Sequence, residues 1–258
     1  MRWRLWLLAA AILLAVATVF SLAPIPQSEA YHNFADQRAL LGIPHCLDVL
    51  SNLPFLVVGV AGITFVLRQP APGVASPRPS IEFWAYLIFF IGVALTSVGS
   101  AYYHLQPDDA RLVWDRLPMT VAFLSLVAAT LAERASARVA AWLLGPLLAF
   151  GVWSVFYWRG TQAAGHGDLR PYVLVQFGSL LALLLLLALF PARNTRGSDL
   201  LVSLGFYVVA KILEVCDRAV FALGHFVSGH TLKHLAAALS AYWILRMLRL
   251  RRPVNAGA

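Results

Sequence analysis

The chain has 258 residues, 60% of them hydrophobic and 12% charged, with a formal net charge of +8. A soluble domain of that length buries its core with far fewer apolar residues, and apolar runs of about 20 residues, enough for a helix to cross a bilayer, recur along the whole sequence. A soluble fold is thereby excluded, and the positive charge reads as arginines kept in cytoplasmic loops rather than as a nucleic-acid surface.

In chain order the hydropathy pattern predicts eight helices, at about 4–23, 47–67, 81–103, 113–132, 138–157, 171–191, 199–222 and 229–247. The fold class is therefore all-α and polytopic. The first helix, in residues 1–24, is expected to be an uncleaved transmembrane anchor, its apolar region being longer than that of most signal peptides. Residues 31–247 form the remaining seven-helix core, and 248–258 a basic cytoplasmic tail. Twelve of the 20 basic residues, including Arg2, Arg4, Arg68, Arg78, Arg134 and Arg252, fall on one side, against Arg38, Arg111, Arg159 and Arg170 on the other. The positive-inside rule then puts both termini in the cytoplasm. Such a start and such loops fit a bacterial inner membrane. Cys46 and Cys216 are too few for a disulfide framework, lack metal-ligand spacing and read as small buried residues.

This topology brings distant polar residues to one depth. The third helix ends in "SVGSAYYHLQPDD", with Ser100 and His104 one turn apart. The fourth begins with "LVWDRLPM", carrying Asp115. The eighth opens with "GHTLKH", so His230 and His234 share a face. Ionisable residues inside a membrane usually face a cavity, a partner or a metal. One such histidine reads most simply as interfacial, but five residues converging from three helices reverse that balance. Three imidazoles with an open fourth position are a frequent catalytic zinc arrangement. Asp115 then suits a general base and acid, and Ser100 an oxyanion donor or a partner orienting Asp115.

The remaining histidines, His32, His45, His166 and His225, read as solvated groups in loops or at helix ends. The seventh helix carries Lys211, Glu214, Asp217 and Arg218. Lys211 with Glu214, and Glu214 with Arg218, have the spacing of structural ion pairs.

"SAYYH", then "DRLPM" with its Asp eleven residues after the His, then "GHTLKH", together with "DVLSNLPF" at 48–55, resemble the alkaline ceramidase family. That family belongs to a superfamily of seven-helix membrane hydrolases that includes the adiponectin and progestin-type receptors. The resemblance covers about residues 31–247. It implies a zinc ion held by His104, His230 and His234, with Ser100 and Asp115 beside it. It also implies hydrolysis of the amide of ceramide or a related N-acyl sphingolipid, drawn from the bilayer, to a fatty acid and a sphingoid base. Eukaryotic members hold calcium before the first core helix; here that segment offers Asp36 and Asp48 as carboxylates, with Asn33 and Asn52 nearby, as calcium or structural residues. Animal members carry a Trp immediately before the final His, where this chain has Lys233.

Three other classes use some of the same features. A receptor-like lipid binder would share the fold, a haem protein would pair its histidines across a ring, and a transporter would use Lys211, Glu214 and Asp217 as a proton path. Fatty-acid release from a lipid amide, a Soret band and flux in liposomes, respectively, discriminate them.

Overall fold

The computed structural model describes residues 2–68 and 79–254. The 69–78 loop, which contains Arg78, and the last four residues of the basic tail lie outside the described residues. The chain is all-α, and among the described residues six segments are long and apolar enough to cross a membrane: Trp3–Ser21, Cys46–Arg68, Ile81–Leu105, Asp109–Arg134, Ala137–Ala163 and Arg170–Leu189. It is a multi-pass membrane protein.

The first helix, α1 (Arg2–Ser21), packs Leu5, Leu8 and Ile12 against the bundle and turns Trp6, Leu13 and Leu14 outward. Such an apolar outer face is stable only against lipid. After an extended linker and a 3-10 turn (Glu29–His32), a short α2 (Cys46–Leu50) leads into α3 (Leu53–Arg68). Next come α4 (Ile81–Leu105), α5 (Asp109–Arg134) and α6 (Ala137–Ala163). The fourth predicted helix starts four residues early, because the Asp108 carboxylate accepts from the Arg111 amide at 2.7 Å and caps it before the apolar run begins. A single crossing follows, made of α7 (Arg170–Val173), a π-helical turn (Leu174–Gly178) and α8 (Ser179–Leu189).

The seventh predicted helix is not continuous. It divides into α9 (Asp199–Val215) and α10 (Asp217–Ala222), with Cys216 between them. Cys46 is buried as expected, while Cys216, at this break, is partly exposed. The last helix, α11 (Gly229–Leu250), packs along α9 and α3. The histidines and arginines of α11 lower its hydropathy, yet it runs through the core on Ala238, Ala241, Ile244 and Leu245.

Two close approaches set the site's frame. A Cβ at Gly99 of α4 would stand 2.0 Å from the Trp114 carbonyl oxygen, so glycine there lets the α4 and α5 backbones touch beside Ser100 and Asp115. At Gly229 a Cβ would stand 2.4 Å from the Leu213 carbonyl oxygen, which seats the start of α11 on the end of α9. At the opposite end of the bundle, Glu133 pairs with Arg251 at 2.5 Å, and Asp199 pairs with both Arg196 and Arg246.

Candidate metal centre

The end of α4 and the first turns of α11 bring His104, His230 and His234 together, all three buried. One ring nitrogen from each lies within 4.8 Å of the others, close enough to hold a metal ion. The His104 and His230 Nε2 atoms face each other at 3.2 Å. All three donors are imidazoles, and three neutral nitrogens with space beside them match a common metal-ligand set.

Each ring is held differently. Ser51, in the turn after α2, donates its hydroxyl to the Asp48 carbonyl at 3.0 Å, leaving its oxygen to accept from His234 Nδ1 at 2.7 Å. That fixes the His234 tautomer with the Nε2 lone pair free, the usual service of a group behind a metal ligand. His104 Nδ1 has no hydrogen-bond partner; its ring is instead packed by Phe34, whose centroid lies 4.7 Å away, and Phe34 also covers His230 at 4.3 Å. The His230 backbone N–H donates to Asp217 Oδ1 at 2.8 Å. Lys233 Nζ stands 3.2 Å from His230 Nε2.

Ser100 is buried and Asp115 half-buried. Both residues, with His234 and Lys233, line a cavity of about 310 Å³ that continues inward between apolar side chains such as Phe89, Leu126 and Ile244. The three histidines read from the sequence as ligands therefore gather, and one of them, His234, lines the same cavity as Ser100 and Asp115.

Other expectations are corrected. Lys211 does pair with Glu214, but the partner on the far side is Lys233, at 2.8 Å, not Arg218. The break at Cys216 turns Arg218 away, and its guanidinium donates to the Asn33 carbonyl at 3.1 Å. Among the described residues Asp217 makes no ion pair; besides His230 it accepts from the Ala35 amide at 2.8 Å. The residues read as calcium or structural ligands hold protein partners through some of their atoms, while Asp48 Oδ2 and Asn52 Oδ1 are buried with no hydrogen-bond partner among the described residues. Asp36 is engaged by Arg38 at 2.7 Å, and Asn33 Oδ1 accepts from Gln37. Asp48 Oδ1 accepts from Ser228 and Thr231, and Asn52 donates to the Asp48 carbonyl. Among the described residues, the three histidines are the one group of three or more His, Cys, Asp or Glu side chains that gathers closely enough for an ion. His32 is no solvated bystander either: it joins Tyr103 at 2.8 Å and Asp109 at 3.0 Å.

The sequence reading missed Ser51, Phe34 and the contact of Lys233 with the cluster. Ser51 lay within the quoted "DVLSNLPF", so its position was visible though its role was not. Phe34 gave no signal, because an aromatic residue in a loop looks like any other. Fold and site together define a multi-pass, all-α membrane protein with a buried tri-histidine cluster able to hold a metal ion. No family model, no curated protein and no solved structure matches the chain.

Proposed function

We propose that this chain is a zinc-dependent hydrolase that cleaves the amide bond of a membrane N-acyl lipid of the ceramide type, releasing a fatty acid and an amine. The observation that carries the reading is the junction of two features: His234, a member of the tri-histidine cluster, lines with Ser100 and Asp115 a cavity whose walls are otherwise largely apolar. A volume of about 310 Å³ falls in the range of ligand pockets, and its lining suits an acyl chain entering from the bilayer. The sequence resemblance to the alkaline ceramidases points to the same chemistry.

His104, His230 and His234 would hold the ion. The donor set suits zinc, with imidazole ligands and no thiolate among them. Zinc, when bound, supplies the Lewis acidity that acidifies a water and polarises the amide carbonyl. The chain's own groups do the rest. Asp115, half-buried at the cavity wall, takes a proton from the attacking water and returns it to the leaving nitrogen. Ser100 keeps the Asp115 carboxylate aimed, or donates to the oxygen on which negative charge develops. Phe34 covers the cluster and keeps bulk water from it. We also assign the histidine end to the non-cytoplasmic side of a bacterial inner membrane, on the arginine asymmetry of the loops.

Incubating the purified protein with a panel of N-acyl lipids, with and without chelator, tests the reading by mass spectrometry. Chelator-sensitive release of fatty acid is expected. Failure to release fatty acid from every lipid amide, by protein with its full metal content, would contradict it.

A further inference from the structure

The polar end of the cavity holds more positive than negative charge. Lys211 and Lys233 both pair with Glu214, and the Tyr31 hydroxyl donates to the same carboxylate at 3.3 Å. One carboxylate thus answers two ammonium groups. Arg116, the next residue after Asp115, lines the same cavity and is only 5% exposed. Among the described residues no carboxylate pairs with it.

A buried guanidinium needs partners for its planar N–H groups and, in a low-dielectric setting, a counter-charge. Arg116 has part of this. Its Nη2 donates to Gln27 Oε1 at 2.5 Å. Its face is covered by the rings of Trp158 at 4.2 Å and Tyr172 at 4.7 Å. Stacking satisfies the face but not the edge, and Nη1 is buried with no hydrogen-bond partner. Gln27 is itself fixed, exchanging backbone and side-chain hydrogen bonds with Gln162 at 3.1 and 3.0 Å. The guanidinium is therefore held in place, with Nη1 unpartnered and its charge unpaired among the described residues, in the wall of a cavity lined largely by apolar side chains.

We propose that Arg116 binds the acidic group of an acyl lipid, a carboxylate or a phosphate, so that the cavity prefers an N-acyl lipid with an anionic headgroup to a neutral ceramide. This rests on the reading of the cavity as a lipid site, and narrows the substrate class. A guanidinium edge matches the geometry of both anions. The same chemistry is offered by the headgroup of an acidic N-acyl lipid and by the fatty acid released from any of them.

The test is native mass spectrometry of the purified full-length protein in detergent, with three probes: N-palmitoylglycine, its neutral counterpart N-palmitoylethanolamine, and palmitate. The masses separate intact ligand from product, so binding is read whether or not the amide is cleaved. Wild type is expected to bind N-palmitoylglycine about ten- to a hundredfold more tightly than the ethanolamide. R116Q should lose that preference while keeping its ethanolamide affinity, and R116K should keep most of it. A loss confined to palmitate in R116Q assigns the guanidinium to the released acid instead of the headgroup. Equal binding of acidic and neutral probes by wild type overturns the proposal, as does an R116Q protein that binds all three like wild type. Acidic binding without cleavage leaves this proposal standing, and the hydrolase reading falls only if no lipid amide of the wider panel is cleaved. If R116Q does not fold, the wild-type comparison and R116K still decide.

Discussion

His234 can offer its Nε2 to an ion because Ser51 accepts from its Nδ1. Ser51→Ala removes that acceptor without emptying much space, so the ring loses its fixed tautomer. Metal affinity should fall on the order of 10–100-fold, measured by competition with a chromophoric chelator, while the helical signal stays the same. Asp115 makes the complementary case. Asp115→Asn keeps the shape and removes the basic oxygen; it should retain metal yet lose amide hydrolysis by about 10²–10⁴-fold, read as fatty-acid release. An Asp115→Asn protein that loses its metal would make Asp115 a ligand. The gathering of the three histidines was legible in the sequence because a charged or imidazole group in an apolar span is costly and marks itself. Ser51 and Phe34 were not. A serine at a helix end and a phenylalanine in a loop are ordinary residues until the fold shows which ring each one touches.

At the scale of elements, the site depends on α4 and α5 touching. Gly99→Ala would put a methyl about where the Trp114 carbonyl oxygen stands, forcing the helices apart. The loss should be about 1–3 kcal/mol, seen as a lower thermal midpoint in detergent. Gly145→Ala, in α6 where a Cβ meets nothing within 4 Å, should show no such loss. The segment covering the histidines is clamped too. Arg38 bonds the Asp36 carboxylate and reaches the His225 and Phe226 carbonyls at 2.6 and 2.9 Å. The hydrogen bond from Arg38 holds the Asp36 carboxyl below the usual carboxylate range, against burial, which pushes it up. A folded value below the unfolded one means the contribution is complete above the unfolded value, about 4. It is lost as pH falls through the lowered folded value. Hydrogen-exchange protection across residues 29–45, corrected for the intrinsic rate at each pH, should therefore fall below about pH 4, and Asp36→Asn should abolish that fall. Helix positions were readable from hydropathy, but the break at Cys216 was not, since "KILEVCDRAVF" keeps an apolar rhythm through it. The break redirects Arg218 to Asn33 and leaves Glu214 to Lys233.

For the whole molecule, the charge asymmetry of the loops predicts an orientation that can be checked without reference to chemistry. A reporter fused after Arg252 should be cytoplasmic, and a tag in the 159–170 loop should be reached from the other side; the reverse would overturn the orientation. The all-α, multi-pass architecture was fully legible, because apolar runs of bilayer length admit few alternatives. The cavity was not, since its walls are the same leucines and phenylalanines that face lipid elsewhere. The joining of a polar cluster to an apolar pocket is a property of the packed bundle alone. Everything proposed for the chemistry rests on the three histidines holding an ion, and elemental analysis of the purified protein tests that most directly. The account predicts one zinc per chain in wild type, lost in His104→Ala, His230→Ala and His234→Ala alike. Full zinc occupancy in all three variants, or a folded wild type that takes up no metal when zinc is supplied, would contradict it.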